Sequence, residues 1–404
     1  MALNLLRNSR VFYTTNVTNG LVNATGHTAA TTREIQVLDG FSFTQNTGQE
    51  TVTTNEAGIS PVRGQRSFNT SLEPVDWSFT TYVRPKFEEG AGTVTVGTLD
   101  ADDTVGAEEA VLWNSLAGTA AIGSAGAGWT PTAYAAGTPN SPFSTVAFGN
   151  SNAHQLHAFG LIIRFEDVTY VIDNCAIDSA TIDFGLDAIA SIAWAGKGTV
   201  MRQLPTTLAI DSVGVITGGG TGGAAWAGST KLKDTTAGYI ANKLSTMTLS
   251  AASFGGLSTR TYTVALTGGN LTISNNLTYL TPANLGVVNL PITYFTGTRS
   301  VTANVTAYLK TGTATGTSGL LNDLLAASSS STENKFASVI SLGGASNSTR
   351  LDLSIPTAQL TIPSITSEQI ISTSITMTAQ GTTTGAYDLE AKNELEVIYY
   401  ATPN

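Results

Sequence analysis

The 404-residue sequence has few charged residues and no long apolar run. Asp, Glu, Lys and Arg together make up 12% of it, which is about half the share of an ordinary soluble protein. Since an isolated chain needs surface charge for solubility, a low content indicates that other copies or partners cover much of the surface. The net charge of -10 disfavours a protein that grips nucleic-acid phosphates. No apolar stretch could cross a bilayer, so we expect no membrane partner.

The residue types that build catalytic and metal sites are also scarce. The single cysteine, Cys175, cannot form an internal disulfide, and we interpret it as a small buried apolar residue. His27, His154 and His157 fit no Ser-His-Asp arrangement, and the last two are better explained as solvated residues at a strand edge. The glycine run at residues 218–223 lacks the lysine and hydroxyl residue of a phosphate-binding loop. The sequence therefore predicts no enzyme, no cofactor and no metal.

Acidic residues are grouped in two places. The first group, which lacks the closing glutamate of an EF-hand, predicts a solvated loop leading into a helix; it consists of Asp100, Asp102, Asp103, Glu108 and Glu109. In the second group, Asp178, Asp183 and Asp187 surround a strand-like segment. No aromatic substrate groove accompanies them, so paired-carboxylate chemistry is not predicted.

Alternation of apolar and polar residues is abundant. In residues 73–85, Val75, Trp77, Phe79 and Val83 share one parity and polar residues fill the other. Successive side chains of a strand point to opposite faces, so this segment predicts a strand with one apolar and one polar face. Threonine and valine favour strands, while glycine and asparagine favour turns. The composition predicts an all-β protein.

The order of segments occurs twice. The alternating strand recurs at residues 299–310, and each half of the chain shows strands, a hairpin, this strand, one short helix and further strands. The helices are predicted at residues 107–117 and 318–327. This pattern predicts two tandem β-sandwich or partly open barrel units, each with one short helix, which complete a closed barrel when the protein oligomerises.

The unit boundaries follow from composition. We place the first unit at residues 1–203, with an insertion at 88–155 that contains a long loop (118–152). A glycine-rich linker follows at 204–238, and the second unit occupies residues 239–404. A final strand at residues 389–400 has no predicted counterpart in the first unit. The amino-terminal residues lack a secretion signal, so we expect a protein assembled inside a cell.

Two segments resemble the tail tube proteins of tailed bacteriophages. They are RGQRSFN at residues 63–69, which leads into EPVDWSFTTYVRP at 73–85, and residues 177–198, which end in IAWAGKG. The resemblance covers most of the first unit and, more weakly, the second. It implies a β-sandwich flanked by a short helix, with an extended loop that reaches the next ring. Residues 45–69 correspond to that loop.

The resemblance also implies an assembly. In the family, six units form a ring whose sheets merge into one barrel, and rings stack into a tube. Two units per chain imply a ring of three chains with pseudo-sixfold symmetry, whereas a second unit that decorates the outside would imply six chains. Predicted contacts between rings or subunits are Gln45, Gln49, Arg63 and Arg66.

The implied function is structural: a virion protein that polymerises into a conduit for DNA ejection into the host. It would be located in the phage tail after assembly in the bacterial cytoplasm, next to other tail proteins such as sheath, baseplate or terminator. DNA should pass without specific binding, so we expect a polar and acidic lining, with Asp76, Asp178 and Asp183 as its acids. The alternative is a β-sandwich adhesion protein of the virion surface that binds a receptor or carbohydrate and exposes an aromatic patch.

Overall fold

The fold is built almost entirely from antiparallel strands. The computed structural model describes residues 9–27, 31–38, 40–52, 66–88, 103–118, 128–136, 142–148, 156–165, 168–204, 238–253, 260–311, 315–327, 335–344, 349–366, 370–381 and 394–401. The predicted all-β class is confirmed. Within these ranges, no helix is long and apolar enough to cross a membrane.

The elements of the first half precede residue 205. They are β1 (Arg10–Thr14), β2 (Val17–Thr18), β3 (Leu21–Val22), β4 (Thr32–Ile35), β5 (Ser42–Thr44), β6 (Thr47–Val52), β7 (Arg66–Leu72), β8 (Val75–Tyr82), β9 (Pro85–Glu88), β10 (Thr104–Ala107), α1 (Ala110–Ala117), β11 (Gly128–Thr132), β12 (Phe143–Ala147), β13 (Phe159–Arg164), β14 (Thr169–Asp183), β15 (Ser191–Gly198) and β16 (Met201–Leu204).

The second half begins with a short 3-10 turn at Asn242–Leu244. Its other elements are β17 (Thr246–Ser253), β18 (Thr261–Val264), β19 (Leu266–Ser274), β20 (Leu277–Leu280), β21 (Thr293–Thr296), β22 (Ser300–Tyr308), α2 (Thr317–Ala327), β23 (Lys335–Gly343), β24 (Arg350–Leu360), β25 (Ser364–Thr366), β26 (Ser372–Ala379) and β27 (Glu396–Tyr400).

The two alternating segments are strands, as predicted. β8 buries Val75, Trp77 and Phe79 and turns its other parity toward solvent. β22 alternates in the same way between buried and solvent-facing residues. The period of two in the sequence therefore fixes which face of each strand joins the core.

One long strand in each half is shared by two sheets. The first part of β14 pairs with β13 and β16, and its last part pairs with β15 and β19. β24 is also shared: β27 pairs with its first part, β26 pairs with its last residues, and β23 pairs along nearly its whole length. Alternation in the sequence predicts separate strands at residues 169–172 and 176–184, and at 350–355 and 357–365; this is wrong, because β14 and β24 each run through the predicted break. The final strand, β27, pairs with the first residues of β24, just as β16 pairs with the first residues of β14.

A central sheet runs through both halves of the chain. Its strands lie in the order β5, β8, β15, β14, β19, β22, β26, and β25 pairs with β26 at the far side. The halves meet where Ser179–Asp183 of β14 pairs with Asn270–Ser274 of β19. In a single chain this sheet is open, with β5 and β25 at its two ends.

The core lies on one face of the central sheet. Trp77 and Phe79 stack with ring centroids 5.3 Å apart, and Trp194 meets Trp113 of α1 edge-on at 5.1 Å. Gly196 allows this packing, because a Cβ there would lie within 3.0 Å of the Trp77 ring and of the Ala176 carbonyl oxygen. Helix α1 is buried along its whole length.

Helix α1 differs from its prediction at its first turn. The helix begins at Ala110 rather than at residue 107, and Glu109 is its N-cap residue. Gly118 ends it in the left-handed conformation, with φ of 94°, which suits glycine. Asp103 and Glu109 are buried, so the prediction of a solvated acidic loop is wrong for both. Asp100 and Asp102 lie outside the described residues.

The predicted loop at residues 118–152 contains two strands. β11 pairs with β12, and β12 pairs with β27 near the end of the chain. Local composition did not indicate these strands, because a partner more than 240 residues away in sequence stabilises them. The sheet β11–β12–β27–β24 ties the insertion of the first half to the second half.

Candidate functional site: the polar face of the central sheet

The face of the central sheet opposite the core carries small polar side chains. Antiparallel pairing places them in rows across both halves of the chain, because directly paired residues share a face. One row reads Thr80, Ala193, Thr181, Thr272, Thr302, Thr378, and a second reads Tyr82, Ser191, Asp183, Asn270, Asn304, Thr376. We call this surface the polar face.

Hydrogen bonds link neighbouring strands along the polar face. The hydroxyls of Thr181 and Thr272 lie 3.1 Å apart across the junction of the halves. Thr376 donates to the Asn304 side chain at 3.0 Å, and the Asn304 amide donates to Asn270 at 3.5 Å. Such cross-strand pairs stabilise the sheet and hold these side chains in place.

Charges on the polar face are few. The Lys197 ammonium lies 2.6 Å from an oxygen of Asp76, directly opposite it on β8. Asp183, at the end of β14, is exposed to solvent on one side. The neighbouring chain still removes part of its hydration, which raises the pKa of its carboxyl. Since Asp76 neutralises Lys197, the described strands of this face offer no unpaired cation for a phosphate to bind.

The third predicted lining acid, Asp178, has a different setting. It stands at the register shift between Ile177 and Ser179 and is half-buried. Its carboxylate accepts a hydrogen bond from the Leu277 backbone at 2.7 Å, and its carbonyl accepts one from the Asn275 backbone at 2.7 Å. Asp178 therefore anchors the start of the β20–β21 hairpin to β14.

Three of the four predicted contact residues, Gln45, Gln49 and Arg66, lie on or near the β6–β7 hairpin. Gln45 is engaged within the chain: its amide donates to the Thr199 carbonyl at 3.1 Å, and its oxygen accepts from the Met201 backbone at 3.0 Å. Gln49 and Arg66 are exposed on the two strands of the hairpin. Arg63 lies outside the described residues.

The residues at the two ends of the central sheet were not among those that the sequence predicted to have a function. Ile182 of β14 lies opposite Leu271 at the internal junction and is 0% exposed. Ile365 of β25 is 51% exposed, and Phe43 of β5 is only partly buried. The sequence pattern carried a signal, because TID at residues 181–183 and SIT at 364–366 both place isoleucine between two polar residues, and NLT at 270–272 and SFT at 42–44 both place a large apolar residue between two polar ones.

The remaining candidates for chemistry are structural. Cys175 is fully buried, and burial raises the pKa of its thiol well above the ordinary value. The His27 ring bonds Thr32 and the Asn23 carbonyl, each at 2.8 Å, and burial lowers its pKa. In the part of the chain that the structure describes, no three His, Cys, Asp or Glu side chains are grouped to hold a metal ion.

Sequence comparison identifies a relative over nearly the whole chain. No family model matches the sequence. The chain is 30% identical over 383 residues to "Tail tube protein pb6" of Escherichia phage T5, and the match covers 93% of this chain and 72% of the relative. A match over 93% of the chain includes strands from both halves of the central sheet.

Proposed function

This chain belongs to the phage tail tube proteins and has a structural role in the virion tail, and from that premise we propose that the polar face lines the lumen of the tube. The observation that carries the proposal is one sheet that crosses both halves of the chain with a continuous polar face. The adhesion alternative receives no support from the relative.

The polar face suits a conduit for DNA. Hydroxyl and amide side chains that are bonded to each other offer little to phosphates or bases, and the Asp76–Lys197 pair is internally neutral. Asp183 adds an exposed carboxylate, which repels phosphate. Asp76, Asp178 and Asp183 are thus our proposed lining acids, with Asp178 at the margin because it also holds the hairpin.

We further propose that residues 1–203 and 239–404 are two copies of one unit. The strand pairings support this, since β13–β14 and β23–β24 share one irregularity. Phe159 pairs with Cys175 and Leu161 with Ile172, while Phe336 pairs with Ala358 and Ser338 with Ile355. Both shifts skip one residue on one strand and two on the other, and both place phenylalanine at the same point. The helices α1 and α2 also follow equivalent strands, β8 and β22.

The ends of the central sheet support a ring of three chains. If the halves are equivalent, β25 corresponds to the last residues of β14, and β5 corresponds to the middle of β19. If β25 of one chain pairs with β5 of the next chain in the register that β14 and β19 have within a chain, Ile365 lies opposite Phe43 and Ser364 lies opposite Thr44. The contact would cover Ile365 as Leu271 covers Ile182, and it would remove the open edges that invite uncontrolled association.

A disulfide experiment tests the ring. In a Ser364→Cys/Thr44→Cys chain, the two new thiols lie on opposite ends of one sheet and oppose each other only between chains, at a Cβ separation of about 5 Å. Oxidation of assembled protein should yield cross-linked dimers and trimers of the 41.8 kDa chain, with trimers as the terminal product. Buried Cys175 does not compete.

The matched control is Ser364→Cys/Thr47→Cys, which is out of register and should not cross-link. Hexamers as the terminal product would overturn the three-chain ring, and a lack of cross-linking would overturn the strand contact. Within the tail, the same proposal includes assembly in the bacterial cytoplasm and end contacts with other tail proteins. End-on electron microscopy of the tube should show a hollow ring with pseudo-sixfold symmetry.

A further inference from the structure

Four aromatic rings form a partly exposed surface beside the β5 end of the central sheet. Phe41 and Phe43 stack with ring centroids 6.2 Å apart, and Phe165 meets Tyr170 edge-on at 6.2 Å. The two pairs are neighbours, since the centroids of Phe43 and Tyr170 lie 6.5 Å apart. We call these four residues the aromatic cluster. All four are only half-buried in the single chain, although rings of this size dominate the energetics of cores and interfaces.

The second half of the chain has large apolar side chains at the equivalent positions, and there they are fully buried. Strand pairings and the irregularity that both halves share give three of the rings a counterpart. The counterparts of Phe43, Phe165 and Tyr170 are, in that order, Leu271, Leu342 and Leu353. All three leucines are 0% exposed. The aromatic cluster therefore lies at a place that the fold covers in the other half.

Contacts across the internal junction show what provides this cover. Helix α1 belongs to the first half, and its Trp113 donates a hydrogen bond to the Tyr399 hydroxyl of the second half at 2.7 Å. Asn275, also of the second half, donates to a carbonyl in the last turn of α1 at 3.2 Å. Tyr399 and Leu342 lie in one row of the sheet, because both pair with Leu351. The helix of one half thus packs against the sheet of the other.

Helix α2 resembles α1 in sequence but is more exposed. LLNDL at residues 320–324 matches LWNSL at 112–116, and the first and last leucines of both segments are buried. Leu321, the second residue, is half-buried, whereas the tryptophan at that place in α1 is fully buried. Leu325, four residues further along the same helix face, is 52% exposed, and its counterpart Ala117 is 1% exposed. Leu321 and Leu325 therefore occupy the part of α2 that corresponds to the contact surface of α1.

Within one chain the two surfaces lie far apart. Helix α2 follows β22 and packs on β18 of its own half, whereas the aromatic cluster includes Phe43 of β5. Four strands of the central sheet separate β22 from β5, namely β19, β14, β15 and β8. At the usual spacing of neighbouring strands this is roughly 24 Å. A contact between the two surfaces therefore requires a second copy of the chain.

Resting on the three-chain ring of the proposed function, we propose that α2 of one chain docks on the aromatic cluster of the next chain in the ring. The β25–β5 strand contact repeats the internal β14–β19 junction, and the helix contact repeats the packing of α1 against the second half. Two unlike surfaces on opposite sides of one chain make a heterologous contact, which closes into a ring when the rotation allows it. Side-chain packing thus joins the chains in addition to backbone hydrogen bonds.

Leu325→Ser tests the helix surface, and Leu21→Ser is the matched control. Leu21 is 53% exposed, and its neighbour Val22 packs with Val171 on the face of β14 opposite Tyr170. By sedimentation velocity over a range of concentrations, we expect Leu325→Ser to raise the concentration at half-assembly about tenfold or more. Leu21→Ser should leave it unchanged. Equal urea midpoints for both variants and the wild type would show that the chains fold alike.

Cross-linking locates the contact. Treatment of an assembled Leu325→Cys/Phe165→Cys chain with bismaleimidohexane should yield dimers and trimers, with trimers as the terminal product. The same reagent should give no product with Leu325→Cys/Leu21→Cys, and buried Cys175 does not compete. Lack of a product from the first chain would overturn the helix contact. Dimers from a chain with Leu325→Cys alone would show contact between two α2 helices and would also overturn it.

Failure of the helix contact and failure of the ring are distinguishable. If Ser364→Cys/Thr44→Cys forms its disulfide while Leu325→Ser assembles like the wild type, the helix contact is overturned and the three-chain ring stands. If neither the disulfide pair nor the Leu325→Cys/Phe165→Cys pair links chains in assembled protein, both proposals are overturned. Trimers from both pairs support the strand contact and the helix contact together.

Discussion

Glu109 connects the first helix to the last strand and should make the stability of the chain depend on pH. Its side chain is buried, and an oxygen accepts hydrogen bonds from the Tyr399 hydroxyl at 2.9 Å and from the Arg84 N–H at 3.4 Å. Trp113 donates to the same Tyr399 oxygen at 2.7 Å. Burial raises the pKa of Glu109 from 4.5 to about 7.

The sign of the effect follows from the direction of this shift. The folded state holds the proton more tightly than the unfolded state, so the stabilisation is complete below pH 4.5 and is lost as the pH rises to about 7. Each pKa unit corresponds to about 1.4 kcal/mol, which gives a loss of about 3 kcal/mol in the free energy of unfolding across that window.

Glu109→Gln tests this reasoning. Glutamine keeps an oxygen for the Tyr399 hydroxyl but cannot ionise, so its unfolding free energy should change less between pH 5 and pH 7.5 than that of the wild type. Urea denaturation followed by tryptophan fluorescence measures the difference, with Trp113 as a reporter beside the site. Burial also raises the pKa of Glu108 to about 7, and Glu108→Gln/Glu109→Gln should be flatter still. Superimposable pH profiles for wild type and Glu109→Gln would refute the argument.

Three substitutions test the packing and the ion pairs. Asp173→Ala should cost about 3–5 kcal/mol in urea denaturation, because Asp173 is fully buried and accepts from Arg202 at 2.6 Å; a cost below 1 kcal/mol would contradict it. Asp76→Ala removes an exposed pair and should cost less than about 1 kcal/mol in the same assay. Gly196→Ala should abolish folding or lower the melting temperature sharply, since its Cβ would overlap Trp77; wild-type melting would show that the core can yield.

The sequence predicted the strand faces correctly because alternation is a local property. Val75, Trp77 and Phe79 lie on one side of any strand that contains them, whatever that strand pairs with. The short helices were predicted for a similar reason, although α1 begins three residues later and α2 one residue earlier than predicted. The polar face of each strand follows from this alternation, and the structure places Asp76 and Asp183 on it.

Contacts between distant segments could not be predicted in this way. β12 was missed because it lies within a long segment rich in Ala, Gly, Thr and Pro, and its partner β27 lies more than 240 residues away in the sequence. Glu109 is buried because the last strand covers it, and Gln45 is engaged because β16 lies beside it. None of these partners is near in sequence, so no local pattern carries the information.

The sequence by itself determined the all-β class, the two-faced strands and the scarcity of charge, all of which depend on residue type and spacing. Only the tertiary structure decided that β14 of the first half pairs with β19 of the second, and hence that one polar face runs through the whole chain. The physical reason is that backbone hydrogen bonds between strands are the same for every sequence, so register and partner are fixed by side-chain packing on both faces at once.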